Sequence, residues 1–267
     1  MKRFLIALAA LLVSVNALAL DHSHKGWDEL LKKHVKYAPS GTSSRVDYAG
    51  FAKDRAQLKA VLDDYSKVTR PEFDAWTKPQ QQAFLSNAYN AFTVELILTR
   101  YPDLKSIRDL GSFLAKPWSK KFFKLFGEDS TLDFIEQEML RKEGMFDDPR
   151  VHVSVVCASV SCPMLRNEAF VAEKLDAQLD DGMKRFLSDR TRNRSHAQLK
   201  QLEVSKIFDW YGKDFEKGNK GYTSVKATMA RYADQLADKP EDRAAVREQK
   251  ADVTFLDYDW SLNDARS

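Results

Sequence analysis

The sequence predicts an α+β fold, a helix-rich single domain around a small, mainly antiparallel sheet. Two observations predict it. Apolar residues recur at helical spacing over most of the chain, while the alternation of a strand appears at 151–157, 197–204 and 252–262. No Pro/Gly/Ser-rich linker and no internal repeat divides residues 20–267, so they read as one domain.

Lys2 and Arg3 precede an apolar run from Phe4 to Val15, followed by Ala17-Leu18-Ala19. This is the pattern of a secretory signal peptide over 1–19, cut after Ala19. The expected location is therefore periplasmic or secreted. The run is short for a membrane span and no second apolar run follows it, so no membrane contact is expected after cleavage. Residues 26–36 then read as a helix, and 39–51 as a loop into a helix over about 50–65. Residues 78–102 are the strongest helix, with Pro79 near its start and Tyr101-Pro102 ending it. The aromatic segment 111–128 is broken by Pro117 and reads as irregular. A helix is expected from Ser130 to about Arg141, and Asp148-Pro149 signals a turn. Residues 168–189 form an amphipathic pattern with Leu175, Leu179, Met183 and Phe186 inward. A helix should follow Ser205 as N-cap, with further helices at 222–236 and 240–249.

Composition excludes some functions. Apolar residues make up 43% and charged residues 30% of the 267, as in an ordinary globular chain. Without Lys2 and Arg3 the chain carries 40 basic against 39 acidic residues. No basic stripe interleaved with aromatics appears, so nucleic acid is not an expected partner. There is no phosphate-cradling glycine loop and no G-x-S-x-G elbow. His22 and His24 form an H-x-H pair, but no further ligands follow at useful spacing, so no zinc site and no cofactor are expected.

The stretch "VHVSVVCASVSCPMLRNEAF", 151–170, holds both cysteines of the chain. Read as a strand, Val151, Val153, Val155 and Cys157 share an apolar face, while His152 lies on the more polar one. Cys162 precedes Pro163, a residue favoured at the first position of a helix. A thiol there would feel the positive end of the helix dipole and become more acidic. Asn167 is a competing N-cap that would remove this help. A Cys–His pair with an orienting group can attack an acyl carbon. In an oxidising compartment Cys157 and Cys162 could instead form a disulfide.

The ordered blocks "LSNAYNAF" (85–92), "LDFIEQEMLR" (132–141), "DPRVHVSVVCASVSCPMLR" (148–166), "SKIFDWYGKDF" (205–215) and "YDWSLN" (258–263) resemble domain-of-unknown-function family 547. The resemblance implies a papain-like thiol hydrolase arrangement with a Cys-His-Glu set. The family's "CG-x-x-SCP" segment falls on Cys157 to Pro163, with Ala158 where the family usually shows glycine. Its histidine falls on His152 and its "IE" glutamate on Glu136.

Other residues have two readings. Asn87 and Asn90, on one face of an apolar helix, are oxyanion donors or structural ties. Glu136 orients His152 or is a surface or capping glutamate, with Arg150 as a possible pair; Glu95 and Asp259 are substitutes for the orienting role. Lys206, Trp210, Tyr211 and Asp214 could line a pocket or form core. The expected function is a periplasmic thiol hydrolase for a peptide or small amide. Cys162 would be the nucleophile with Cys157 as its alternative, His152 the base, Glu136 the orienter, and Asn87, Asn90 or a backbone N–H near Cys162 the oxyanion donor. The rival is a non-catalytic periplasmic ligand-binding or scaffold protein with a Cys157–Cys162 disulfide.

Overall fold

The computed structural model describes residues 19–112, 115–196 and 201–266. The expected leader therefore lies outside the described residues except for Ala19, as do residues 197–200 of the expected strand at 197–204. The chain is helix-rich α+β. It opens with α1 (Lys25–His34), β1 (Val35–Tyr37), β2 (Ser44–Val46), α2 (Tyr48–Lys53), α3 (Arg55–Lys67), α4 (Arg70–Ala75) and α5 (Lys78–Leu98). Next come β3 (Phe123–Leu125), β4 (Glu128–Ser130), a π-helical turn over Phe134–Leu140 and a 3-10 turn over Pro149–Val153. The remainder is α6 (Leu175–Ser188), β5 (Arg194–His196), β6 (Gln201–Val204), α7 (Ile207–Trp210), α8 (Val225–Arg231), α9 (Ala233–Leu236), α10 (Pro240–Arg247) and β7 (Asp252–Phe255).

The one small sheet expected from sequence is in fact divided. β1–β2 and β3–β4 are separate antiparallel pairs, and β5–β6–β7 is a third sheet whose β6–β7 pair is parallel. Each is short because the burial is supplied by helices.

α5 anchors the fold. Thr77 and Gln80 form a capping box at its start, with Pro79 in the first turn. Every residue from Gln81 to Val94 is buried, which requires an almost entirely uncharged sequence around the whole helix. Among its buried polar residues Asn87 and Asn90 pair with backbone, whereas Gln81 Oε1 and Gln82 Nε2 have no hydrogen-bond partner among the described residues. The Asn90 amide donates to the Ser154 carbonyl at 2.8 Å while its oxygen accepts the Val156 N–H at 3.0 Å. Asn87 clamps the Phe170 backbone in the same two-way fashion, at 2.8 and 3.0 Å.

These clamps explain a correction. Residues 151–157 are not a strand. Asp148 caps the Arg150 N–H, Pro149 sits in the first turn, and the backbone coils through a 3-10 turn before passing into irregular chain. The valine alternation is misleading because every residue from Val151 to Val156 is buried, so no polar face exists. Arg150 is buried there and neutralised by Asp148 and Asp176 at 2.7 and 2.6 Å, not by Glu136. Val151, Val155 and Val156 belong to the core built on α1, α3 and α5, whereas Val153 belongs to the core built on α6 through α10. Gly182 lets α6 approach this turn: a Cβ there would lie 3.1 Å from Val153 Cγ2. The segment that carries His152 and Cys157 thus runs along the seam between two hydrophobic clusters.

Asn90→Ala would leave the Ser154 carbonyl and the Val156 N–H buried and unpartnered. The expected loss is about 2–4 kcal/mol of unfolding free energy. Urea unfolding checks it: the midpoint should fall with the slope unchanged.

Candidate active site

The thiols occupy unlike places. No helix starts at Pro163 or at Asn167; the chain stays irregular until a 3-10 turn at Ala172–Lys174. Cys162 therefore lacks the helix terminus expected for it. It is buried in the larger core, and its sulfur accepts the Cys157 N–H at 3.0 Å. Burial and the neighbouring Cys157 sulfur push its thiol pKa up. Cys157 is partly exposed. Its sulfur lies 3.0 Å from Ser159 Oγ and 3.1 Å from the Tyr258 hydroxyl. Burial pushes Cys157 up as well, but hydrogen bonds from Cys162, Ser159 and Tyr258 outweigh it and draw the thiol down to about 7. Both cysteines are free thiols.

The loop between them depends on one unusual backbone position. Ala158 has φ +59°. A left-handed turn there sends residues 159–161 along the C-terminal segment. Val160 N–H bonds the Ser261 carbonyl at 2.8 Å, and Asn263 N–H bonds the Ala158 carbonyl at 3.0 Å. That strap brings Tyr258 to Cys157.

A second cluster surrounds His152. The 3-10 turn buries the ring, and Tyr211 stacks on it with centroids 4.0 Å apart. His152 Nε2 donates to Asp214 Oδ2 at 2.9 Å, and Arg141 Nε donates to the same oxygen at 2.7 Å. Burial pushes the Asp214 carboxyl up, but His152 and Arg141 more than offset it and hold it well below the usual carboxylate range. Asp214 is thus ionised, which fixes the proton on Nε2 and leaves Nδ1 as the basic nitrogen. Among the described residues nothing hydrogen-bonds to Nδ1. Burial lowers the His152 pKa despite Asp214 and Glu136, so the ring is neutral near pH 7. Glu136 does not touch His152. It is buried and accepts from the Tyr89 and Tyr211 hydroxyls at 3.0 and 2.9 Å. It therefore holds Tyr211, and Tyr211 packs His152. The other orienting candidates are spent elsewhere: Glu95 pairs with Arg55 at 2.6 Å, and Asp259 accepts the Ser261 N–H.

Cys157, Cys162, His152 and Glu136 line one open cavity of about 660 Å³, along with Tyr89, Tyr211 and Tyr258. Its mouth carries Arg108 and Lys116 and a set of aromatic rings. Trp210 stacks near Trp260 at 5.7 Å, and Tyr258 and Trp118 pack on the same indole at 4.6 and 5.9 Å. Trp210 is 44% exposed, so this is a surface for contact and not core. Asn87 and Asn90 are outside the cavity, both amides committed to backbone. Among the described residues no hydrogen bond joins His152 to either thiol. Sequence reasoning missed Ser159 and Tyr258 as partners of the sulfur and Asp214 as partner of the imidazole. Only the polar composition of 205–215 hinted at the last.

Two measurements check this picture. Alkylation of Cys157 by iodoacetamide should rise with a midpoint near pH 7, and Tyr258→Phe should move that midpoint up by about one unit, the worth of one charge-assisted hydrogen bond. His152 should stay neutral where a free imidazole charges, near 6.5. Below that pH the unfolded chain binds a proton that the folded chain resists. The contribution of His152 to stability is thus complete above about 6.5 and lost as the pH falls. Imidazole NMR shifts and urea unfolding between pH 7.5 and 5 would show it.

The curated proteins and the solved structures contain no match to this chain. The signature of the family described as "Protein of unknown function, DUF547" matches residues 73–187. That span runs from Phe73 in α4 to Leu187 in α6 and includes Glu136, His152, Cys157 and Cys162, whereas Asp214 and Tyr258 lie beyond it. Residues 73–187 are a DUF547 domain, set in a chain whose C-terminal part completes the cavity.

Proposed function

We propose that this protein is an exported thiol hydrolase that acts on a peptide or small amide, with Cys157 as the nucleophile. The observation that carries the reading is the Cys157 sulfur, open to the cavity and drawn toward the thiolate by two hydroxyls. Cys162 supports it from below, since a thiol held buried and neutral is a poor attacker. The Cys157 thiol gives its proton to His152 Nδ1 as its sulfur bonds to the carbonyl carbon, whose oxygen takes the electron pair of the C=O π bond. Collapse breaks the carbon–nitrogen bond, and the imidazolium returns the proton to the leaving amine. Water, deprotonated by the same nitrogen, then cleaves the thioester to release acid and free thiol. Asp214 takes the orienting role that Glu136 has in the family's implied set, and Glu136 acts one step further out through Tyr211. Ser159 and Tyr258 are the hydroxyl donors available to the developing oxyanion. The leader pattern and the absence of a long apolar helix among the described residues are compatible with export to the periplasm or medium.

A second reading has its own support. His152 reaches neither thiol, and the aromatic mouth suits stacking of a planar or sugar face. A non-catalytic binding protein would use the cavity in that way. One experiment separates the two. The protein is incubated with a panel of short peptide p-nitroanilides and thioesters, and intact mass follows any acyl adduct. The hydrolase forms an adduct on Cys157 and turns over. Cys157→Ser abolishes both, Cys162→Ser keeps them, and His152→Ala or Asp214→Ala slows acylation by about 10²–10⁴-fold. Acylation that survives in Cys157→Ser, or ligand binding with no adduct across the panel, removes the hydrolase in favour of the binding protein.

A further inference from the structure

The amino-terminal histidine pair takes no part in the thiol cavity. It stands beside the predicted cleavage point, since a cut after Ala19 would leave Leu20-Asp21-His22 as the first residues of the mature chain. A histidine third from a free amine has a particular chemistry. Its Nδ1 is the ring nitrogen nearer its own backbone, so it can close a chelate with the two preceding amide nitrogens and the amine. Four nitrogens in one plane are a preferred arrangement for copper(II) and nickel(II), with copper the tighter.

We propose that the mature amino terminus is a copper(II) site, formed by the Leu20 α-amine, the backbone nitrogens of Asp21 and His22, and His22 Nδ1. The site rests on the proposed cleavage after Ala19 and is independent of the hydrolase reading.

Several observations converge on it. His22 Nδ1 is buried with no hydrogen-bond partner, a condition that calls for an explanation. Among the described residues the N–H groups of Asp21 and His22 also donate to nothing. The next N–H groups are all engaged: Ser23 with Asp21 Oδ1 at 2.9 Å, His24 with the Asp21 carbonyl at 2.9 Å, and Lys25 with Asp21 Oδ2 at 3.3 Å. The free donors are thus the ones the chelate needs. Leu20 N has a single long contact, Glu72 Oε1 at 3.4 Å. The edge-on packing of His22 against Trp76, with centroids 4.6 Å apart, holds the ring beside an open cleft of about 390 Å³. His24 is excluded from the plane. It lies two residues too far along, and its Nδ1 bonds the Tyr65 hydroxyl at 3.1 Å.

Among the described residues no group of three or more His, Cys, Asp or Glu side chains could hold a metal. This site needs only one side chain, because its other nitrogens come from backbone. On binding, the ammonium and both amides each release a proton to solvent, and the amide anions offset the charge of the metal.

The test uses the full-length gene product, exported by a bacterial host, purified from the export compartment and freed of metal. Intact mass reads its amino terminus, and copper(II) chloride is titrated while visible absorption and electron paramagnetic resonance are followed. The expected result is a chain that starts at Leu20 and binds one copper with the signature of a square-planar four-nitrogen centre. That signature should be lost in His22→Gln and in a protein with one extra residue ahead of Leu20, each with an unchanged melting curve. A chain that starts at Leu20 but lacks the signature overturns the site itself, as does a signature that persists in His22→Gln. A chain that starts elsewhere overturns the cleavage and the site with it.

Discussion

The amide of Asn90 is the contact on which the candidate site depends. One side chain bonds both the Ser154 carbonyl and the Val156 N–H, and so replaces the neighbour strand that this valine-rich segment would otherwise need. It does so from the middle of a helix buried on all sides, where an unpaired amide would cost about 1–3 kcal/mol. Because α5 is itself fixed by a capping box and by its packing, the segment from His152 to Cys157 is held on a rigid support. Asn87 does the same for Phe170, beyond the second cysteine.

On that support the chain assembles two polar clusters, one around Cys157 and one around His152. Around Cys157 the charge is moved toward sulfur by hydroxyls and by the second thiol. Around His152 a carboxylate fixes the tautomer while burial keeps the ring neutral. Arg141 links the outer parts, since it bonds Asp214 and its guanidinium lies 4.7 Å over the Tyr211 ring. Each cluster draws on both hydrophobic cores, so neither is complete within the matched family domain. The C-terminal strap supplies Tyr258, and the turn after α7 supplies Asp214.

Ala158 shows how narrow the margin is between sequence rule and structure. A residue with a Cβ in the left-handed region carries strain of about 1–2 kcal/mol. The position accepts it because Asn263 N–H on one side and the Ser159–Leu262 bridge on the other fix the turn. A glycine at this position would take the same φ without that strain.

The sequence by itself determined the helix-rich α+β class and the presence, though not the ends, of α1, α5 and α6, and it singled out Glu136, His152, Cys157 and Cys162, which line one cavity. Those features follow from periodicity, capping residues and proline, which act within a few residues of chain. It could not determine that 151–157 coils instead of pairing, since both conformations bury valine equally well and the choice lies with Asn90, over sixty residues away. Nor could it divide the sheet into three, or separate a buried thiol from an open one. The partners of Cys157, His152 and Glu136 come from residues 258, 214, 89 and 211, brought near only by packing of the two cores. Tertiary structure decided these matters because hydrogen bonding and desolvation, which set the state of a thiol or an imidazole, depend on what is near in space and not on what is near in the chain.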